Sequence, residues 1–84
     1  MTKVKFLIEK DSLNDVFAYF PDIVWCDFTK TCYAHIGQHS ACHPYYARDC
    51  KEADLFQYID LFSELQSIGY RDLQIIWGLL TKLK

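Results

Sequence analysis

The chain has 84 residues, four of them Cys, with 51% hydrophobic residues, 17% aromatic residues and a formal net charge of −2. That is the size of one domain with enough apolar material for a core, which excludes a disordered chain. The weak net charge excludes an argument from charge alone for a nucleic-acid or membrane partner, although it is unevenly spread: residues 1–10 and 71–84 each carry net +2, and residues 11–70 carry net −6.

Two solvated ends account for that distribution, and a basic patch forms only if the terminal strands lie side by side. Val4, Phe6 and Ile8 alternate with Lys3, Lys5 and Glu9, the period of a half-buried strand. The run Phe6-Leu7-Ile8 is too short for the apolar region of a signal peptide, and no stretch has the length of a membrane span. The expected compartment is therefore the cytoplasm, where the thiols stay reduced. Residues 10–14 are rich in turn formers, and a second strand follows with Val16, Ala18 and Phe20 on one face. Pro21-Asp22 is expected to end it, because Pro cannot donate to a ladder. Residues 22–29 read either as a loop carrying Trp25 and Phe28 or as a short edge segment.

A third strand is expected over 30–36, with Cys32, Ala34 and Ile36 towards the core and Thr31, Tyr33 and His35 away from it, stopped by Gly37. From Gln38 to Cys50 the chain reads as irregular. Gln38, His39 and Ser40 are turn residues there, with Ser40 as N-cap of a short helix over 44–49 that opens on Pro44. Asp49 and Glu52 have the spacing of a capping box for a longer helix. Its stripe runs through Leu55, Ile59 and Phe62, with Tyr58, Leu61, Leu65 and Ile68 beside it, to a stop at Gly69. Leu73, Ile75 and Trp77 mark a fourth strand, and the tail from 78 to 84 reads as either helix or strand. The fold class is α+β: a small antiparallel sheet in the order strand, strand, strand, helix, strand, packed on one main helix, with a short helix after strand three.

The segment 26–50 holds all four Cys and all three His of the chain. Zinc takes four such ligands in a tetrahedron at about 2.0–2.3 Å. His39 and Cys42 are separated by two residues, and His43 and Cys50 complete the set that a folded-back short helix would bring together. Against zinc stands the lack of a C-x-x-C knuckle. Cys42 or Ser40 beside His39 or His43 also has the makings of a nucleophile and its base, but no nucleophile elbow such as G-x-S-x-G is present. No phosphate loop or dinucleotide fingerprint occurs.

Aromatics carry the leading functional reading. Trp25, Phe28, Tyr33, Tyr45, Tyr46 and Tyr58 fall off the expected core faces. Such rings suit a recognition surface, and Lys30 is the only basic side chain over residues 25–46, which favours a protein partner over nucleic acid. A non-enzymatic interaction protein would then bind through Trp25, Tyr33, His35, Gln38, His39, Ser40, Tyr45 and Tyr46 and an exposed sheet edge. The same edge permits a homodimer. A small zinc protein and a Cys- or Ser-dependent hydrolase are the alternatives.

The segment Thr31 to Cys42, TCYAHIGQHSAC, following Val16 to Pro21, VFAYFP, and ending in Gly69 to Ile76, resembles a family of small uncharacterised proteins of bacterial genomes, prophages and mobile elements. That resemblance covers most of the chain to residue 76 and brings no established activity, cofactor or catalytic residue. It implies a bacterial or phage cytoplasmic protein of accessory, anti-defence or regulatory kind.

Overall fold

In the computed structural model, which describes residues 1–9, 15–34 and 38–77, the first strand, β1 (Thr2–Ile8), has apolar side chains buried on both of its sides. It lies inside a six-stranded sheet with β2 (Val16–Cys26), β3 (Thr29–Ala34), β4 (Gln38–Cys42), β5 (Lys51–Glu52) and β6 (Leu73–Ile75). The sheet order is β4-β3-β2-β1-β5, all antiparallel. β6 pairs in parallel with the first half of β1, so the terminal strands do lie side by side. There the Met1 ammonium faces Asp72 at 3.8 Å, and the Thr2 hydroxyl donates to Asp72 at 2.9 Å. The expected α+β class holds, with two more strands than the sequence suggested.

Helices cover both faces. On one, Val4, Phe6, Ile8, Ala18, Phe20 and Tyr33 pack against Tyr58, Leu61 and Leu65 of α2 (Leu55–Ser67). Phe6 stacks on Tyr58 with ring centroids 4.7 Å apart. On the other face, Leu7, Phe17, Tyr19, Cys32 and Cys42 pack under Ala47 of α1 (Pro44–Asp49), with Cys50 half-buried beside them. Each fully buried large apolar side chain contributes about 1.5–3 kcal/mol. Lys5 is buried on this second face and reaches Glu52 at 3.1 Å, which offsets the cost of taking its ammonium out of water. A single half-buried sheet under one main helix was thus too simple.

Several local expectations are corrected. Pro21 does not end β2. The strand runs on to Cys26, and the register shifts between Phe20 and Val24, so the proline sits where the ladder is already broken. Asp27, at φ +42°, turns the chain, and the Thr29 hydroxyl closes the turn by donating to the Cys26 carbonyl at 2.7 Å. Residues 38–42 form a strand, and the N-cap of α1 is His43, not Ser40: its Nδ1 accepts from the Tyr45 amide at 3.3 Å. Asp49 and Glu52 are not a capping box, because Glu52 pairs with Leu7 in the sheet. The box is Asp54 with Gln57, each side chain accepting from the other's amide at 3.0 and 2.9 Å. The buried stripe of α2 is Tyr58, Leu61 and Leu65, while Leu55, Ile59 and Ile68 are exposed.

Gly69 ends α2 as expected. At φ +124° it lets Tyr70 donate back to Leu65 and itself to Gln66, at 3.0 and 3.2 Å. His35, Ile36, Gly37 and the tail from 78 to 84 lie outside the described residues. No helix among the described residues is long and apolar enough to cross a membrane.

Candidate functional site

The hairpin of β3 and β4 decides which side chains meet. Its register sets Cys32 opposite Ser40 and Tyr33 opposite His39. Side chains alternate across a strand, so these two pairs face opposite ways. Carried across the sheet, the first pair extends to Tyr19 and Lys5, and the second to Ala18 and Phe6. One row is polar and lies under α1. The other belongs to the core under α2.

In the row under α1, Cys32 Sγ lies 3.3 Å from Ser40 Oγ. Cys42, two residues further along β4, is on the same face; its thiol donates to the His43 carbonyl at 3.7 Å, and the Cys32 thiol donates to the Ala41 carbonyl at 3.9 Å. Both cysteines are buried, at 8% and 5% exposure, and both line a cavity of about 500 Å³. Ser40, His43, Glu9 and Asp15 line it as well. The neighbouring Cys42 side chain, opposed by burial and aided by the Ser40 hydroxyl, brings the Cys32 thiol down to about 6. Cys42 moves up, because the neighbouring Cys32 side chain and burial both disfavour a second charge in the same space. The two thiols act as one group that releases its first proton from Cys32. Burial first, and then the neighbouring Cys42 and Cys32, push the Tyr19 phenol up to about 12, so it stays neutral. Chemically, this is a pair of thiols on one wall of a cavity, with a hydroxyl beside the first.

On the opposite face His39 packs edge-on against Tyr33, with centroids 4.8 Å apart, and its Nε2 lies 3.0 Å from the Tyr70 hydroxyl. Tyr33 is 1% exposed and donates its hydroxyl to Glu64. It is a core residue, contrary to its expected place on a binding surface. Tyr58 is likewise buried. Trp25, Phe28, Tyr45 and Tyr46 are exposed as expected. Tyr45 stacks on His43 with centroids 5.0 Å apart, under the Arg48 guanidinium at 4.9 Å. The Tyr46 hydroxyl donates to Glu9, and its ring lies 6.0 Å from that of Phe17. Gln38 is on the exposed edge strand, and His35 falls outside the described residues.

The four residues considered for zinc are divided by the same alternation. His39 is on the α2 face and Cys42 on the α1 face, because their three-residue offset is spent on a strand instead of a turn. His43 uses Nδ1 to cap α1, and the Cys50 thiol donates to the Tyr46 carbonyl at 3.3 Å. Among the described residues no three His, Cys, Asp or Glu side chains are grouped to hold a metal ion. Sequence reasoning set Cys32 aside as a small core hydrophobe. Its signal was the offset between Cys32 and Cys42, which means proximity only once 38–42 is a strand. No protein-family model matches the chain, and no curated protein or solved structure matches it either.

Proposed function

We propose that the protein is an interaction module of the cytoplasm that binds another protein through the arm made by the far ends of β2 and β3. The supporting observation is the arm's surface. Ile23, Val24, Trp25 and Phe28 are all exposed, Phe28 at 83%, and belong to neither apolar core. Aromatic side chains presented on a hairpin concentrate binding free energy in few residues. Asp22 and Asp27 share the arm with Lys30, so it carries no excess of cations for a phosphate backbone. Val24, Lys30 and Cys42 are in register across β2, β3 and β4, which puts the start of α1, with Tyr45, at the same end of the sheet. The outer edge of β4 adds backbone groups for strand addition, by the partner or by a second copy. The resemblance to small bacterial, prophage and mobile-element proteins supports an accessory role, of anti-defence or regulatory kind.

The test is cross-linking in cells that carry the protein, with three chains compared: wild type, the double variant Trp25→Ser/Phe28→Ser, and Phe56→Ser as a control on α2, where Phe56 is 90% exposed. One protein captured by the wild type and by the control, and lost from the double variant, is the expected result. Equal capture by all three overturns the reading. Sedimentation of the purified chain distinguishes a second copy from a different partner.

A further inference from the structure

We propose, independently of the arm, that Cys32 and Cys42 form a dithiol site that reduces a small neutral hydroperoxide, with Cys32 as the attacking sulfur and Cys42 as the resolving one. The geometry has three parts. Both sulfurs lie on one face of adjacent antiparallel strands, offset by two residues, and the Cys32 thiol reaches the carbonyl of Ala41, the residue before Cys42, at 3.9 Å. Both line a cavity of about 500 Å³, large enough to admit a peroxide to sulfurs that are otherwise buried. Ser40, 3.3 Å from Cys32, offers a hydroxyl to the oxygen that leaves. Glu9 and Asp15 on the cavity wall disfavour anionic oxidants, including acidic peptide disulfides, and leave a neutral peroxide as the fitting substrate.

The reaction balances in two steps. The Cys32 thiolate attacks the terminal peroxide oxygen. A sulfur–oxygen bond forms, the oxygen–oxygen bond breaks, and the departing hydroxide or alkoxide takes a proton and leaves as water or alcohol. Cys32 is then a sulfenic acid. Cys42 gives up its proton as its sulfur attacks that of Cys32. The sulfur–sulfur bond forms, the sulfur–oxygen bond breaks, and water leaves. The two cysteines lose two electrons and the peroxide gains them. An external dithiol of the dithiothreitol class reduces the resulting disulfide and closes the cycle.

Groups facing the pair come from every neighbouring element: Lys5, neutralised by Glu52, from β1; Tyr19 from β2; His43, Tyr46 and Cys50 at α1. A thiol at about 6 is half ionised at pH 6. A free thiol peptide, at about 8.5, is ionised to about 0.3% there. The more acidic thiolate is intrinsically less nucleophilic by roughly 13-fold, so Cys32 is expected to react about tenfold faster than the free peptide at pH 6.

The experiment treats the full chain, carrying Cys26→Ser to remove the exposed thiol, with hydrogen peroxide over pH 5–8, and maps the products by peptide mass spectrometry. A Cys32–Cys42 disulfide is expected, with a rate that levels off above the Cys32 ionisation. In Cys42→Ser the sulfenic acid persists on Cys32 and is captured by dimedone. Ser40→Ala keeps the fold, slows the first step and moves its pH midpoint up. Labelling of Cys42 or Cys50 ahead of Cys32, a disulfide to Cys50, or a Cys32 rate no faster than the free peptide at pH 6 overturns the proposal. Circular dichroism of each variant verifies folding, and dimedone capture in wild type during the first seconds gives the same answer should Cys42→Ser unfold.

Discussion

Tyr33→Ala separates a core residue from a surface residue on one measurement. Tyr33 is 1% exposed between Ala18 and His39 and reaches Glu64. Truncating a buried aromatic to alanine costs about 3–5 kcal/mol, from lost transfer free energy and the cavity left behind. Tyr33→Phe keeps the ring and removes only the hydroxyl donated to a half-buried carboxylate, a loss of about 1.5–3 kcal/mol. A domain of this length has about 4–12 kcal/mol of total stability, so the alanine variant forfeits a quarter or more. In urea, at a slope of about 1 kcal/mol per molar, the midpoint drops by about 3 M or more for alanine and by about half that for phenylalanine. Tyr45→Ala is the control. Its side chain is 63% exposed, and the expected change stays within about 0.5 kcal/mol. Denaturation followed by far-ultraviolet circular dichroism reads all three. If Tyr33→Ala proves no more harmful than Tyr45→Ala, the ring is not in the core and the assignment of faces to β3 is wrong.

Two further outcomes follow from the thiol pair and the divided ligand set. Cys32 is lowered in the fold from 9.0 to about 6, so it stabilises the native state fully only above pH 9, and that contribution is lost as the pH falls through 6. Thermal midpoints under reducing conditions should therefore rise between pH 6 and 9, and Cys32→Ser should flatten the rise; the same rise in the variant removes Cys32 as its source. Because His39 and Cys42 face opposite ways, protein purified without chelator should carry less than about a tenth of an equivalent of zinc by elemental analysis, and stoichiometric zinc that survives dialysis contradicts that geometry.

The sequence was most legible where period and chemistry agreed. Val4, Phe6 and Ile8, then Val16, Ala18 and Phe20, alternate on the face that α2 covers, and Pro44 and Gly69 mark helix ends for reasons of backbone alone. It misled where a strand is buried on both sides, because period two then vanishes. Leu7, Tyr19 and Cys32 are as buried as their neighbours, and Lys5 reads as wet although Glu52 takes it inside. Pro21 read as a stop because a break in the ladder at that point cannot be seen from composition. The largest miss was Gln38 to Cys42. Polar side chains with little β-propensity form an edge strand there because β3 supplies the hydrogen bonds. The candidate thiol site depends on that strand, which is why Cys32 was passed over and His39 was grouped with Cys42.

The most direct check on the whole account is the set of cross-strand proton–proton contacts in the nuclear magnetic resonance spectrum of the reduced chain. Backbone contacts linking Cys32 to Ser40, Tyr33 to His39 and Lys30 to Cys42 are expected, as the register of β3 and β4 requires. Short-range contacts confined within 38–43, of the kind a turn or helix start produces, with none reaching 30–33, would contradict it.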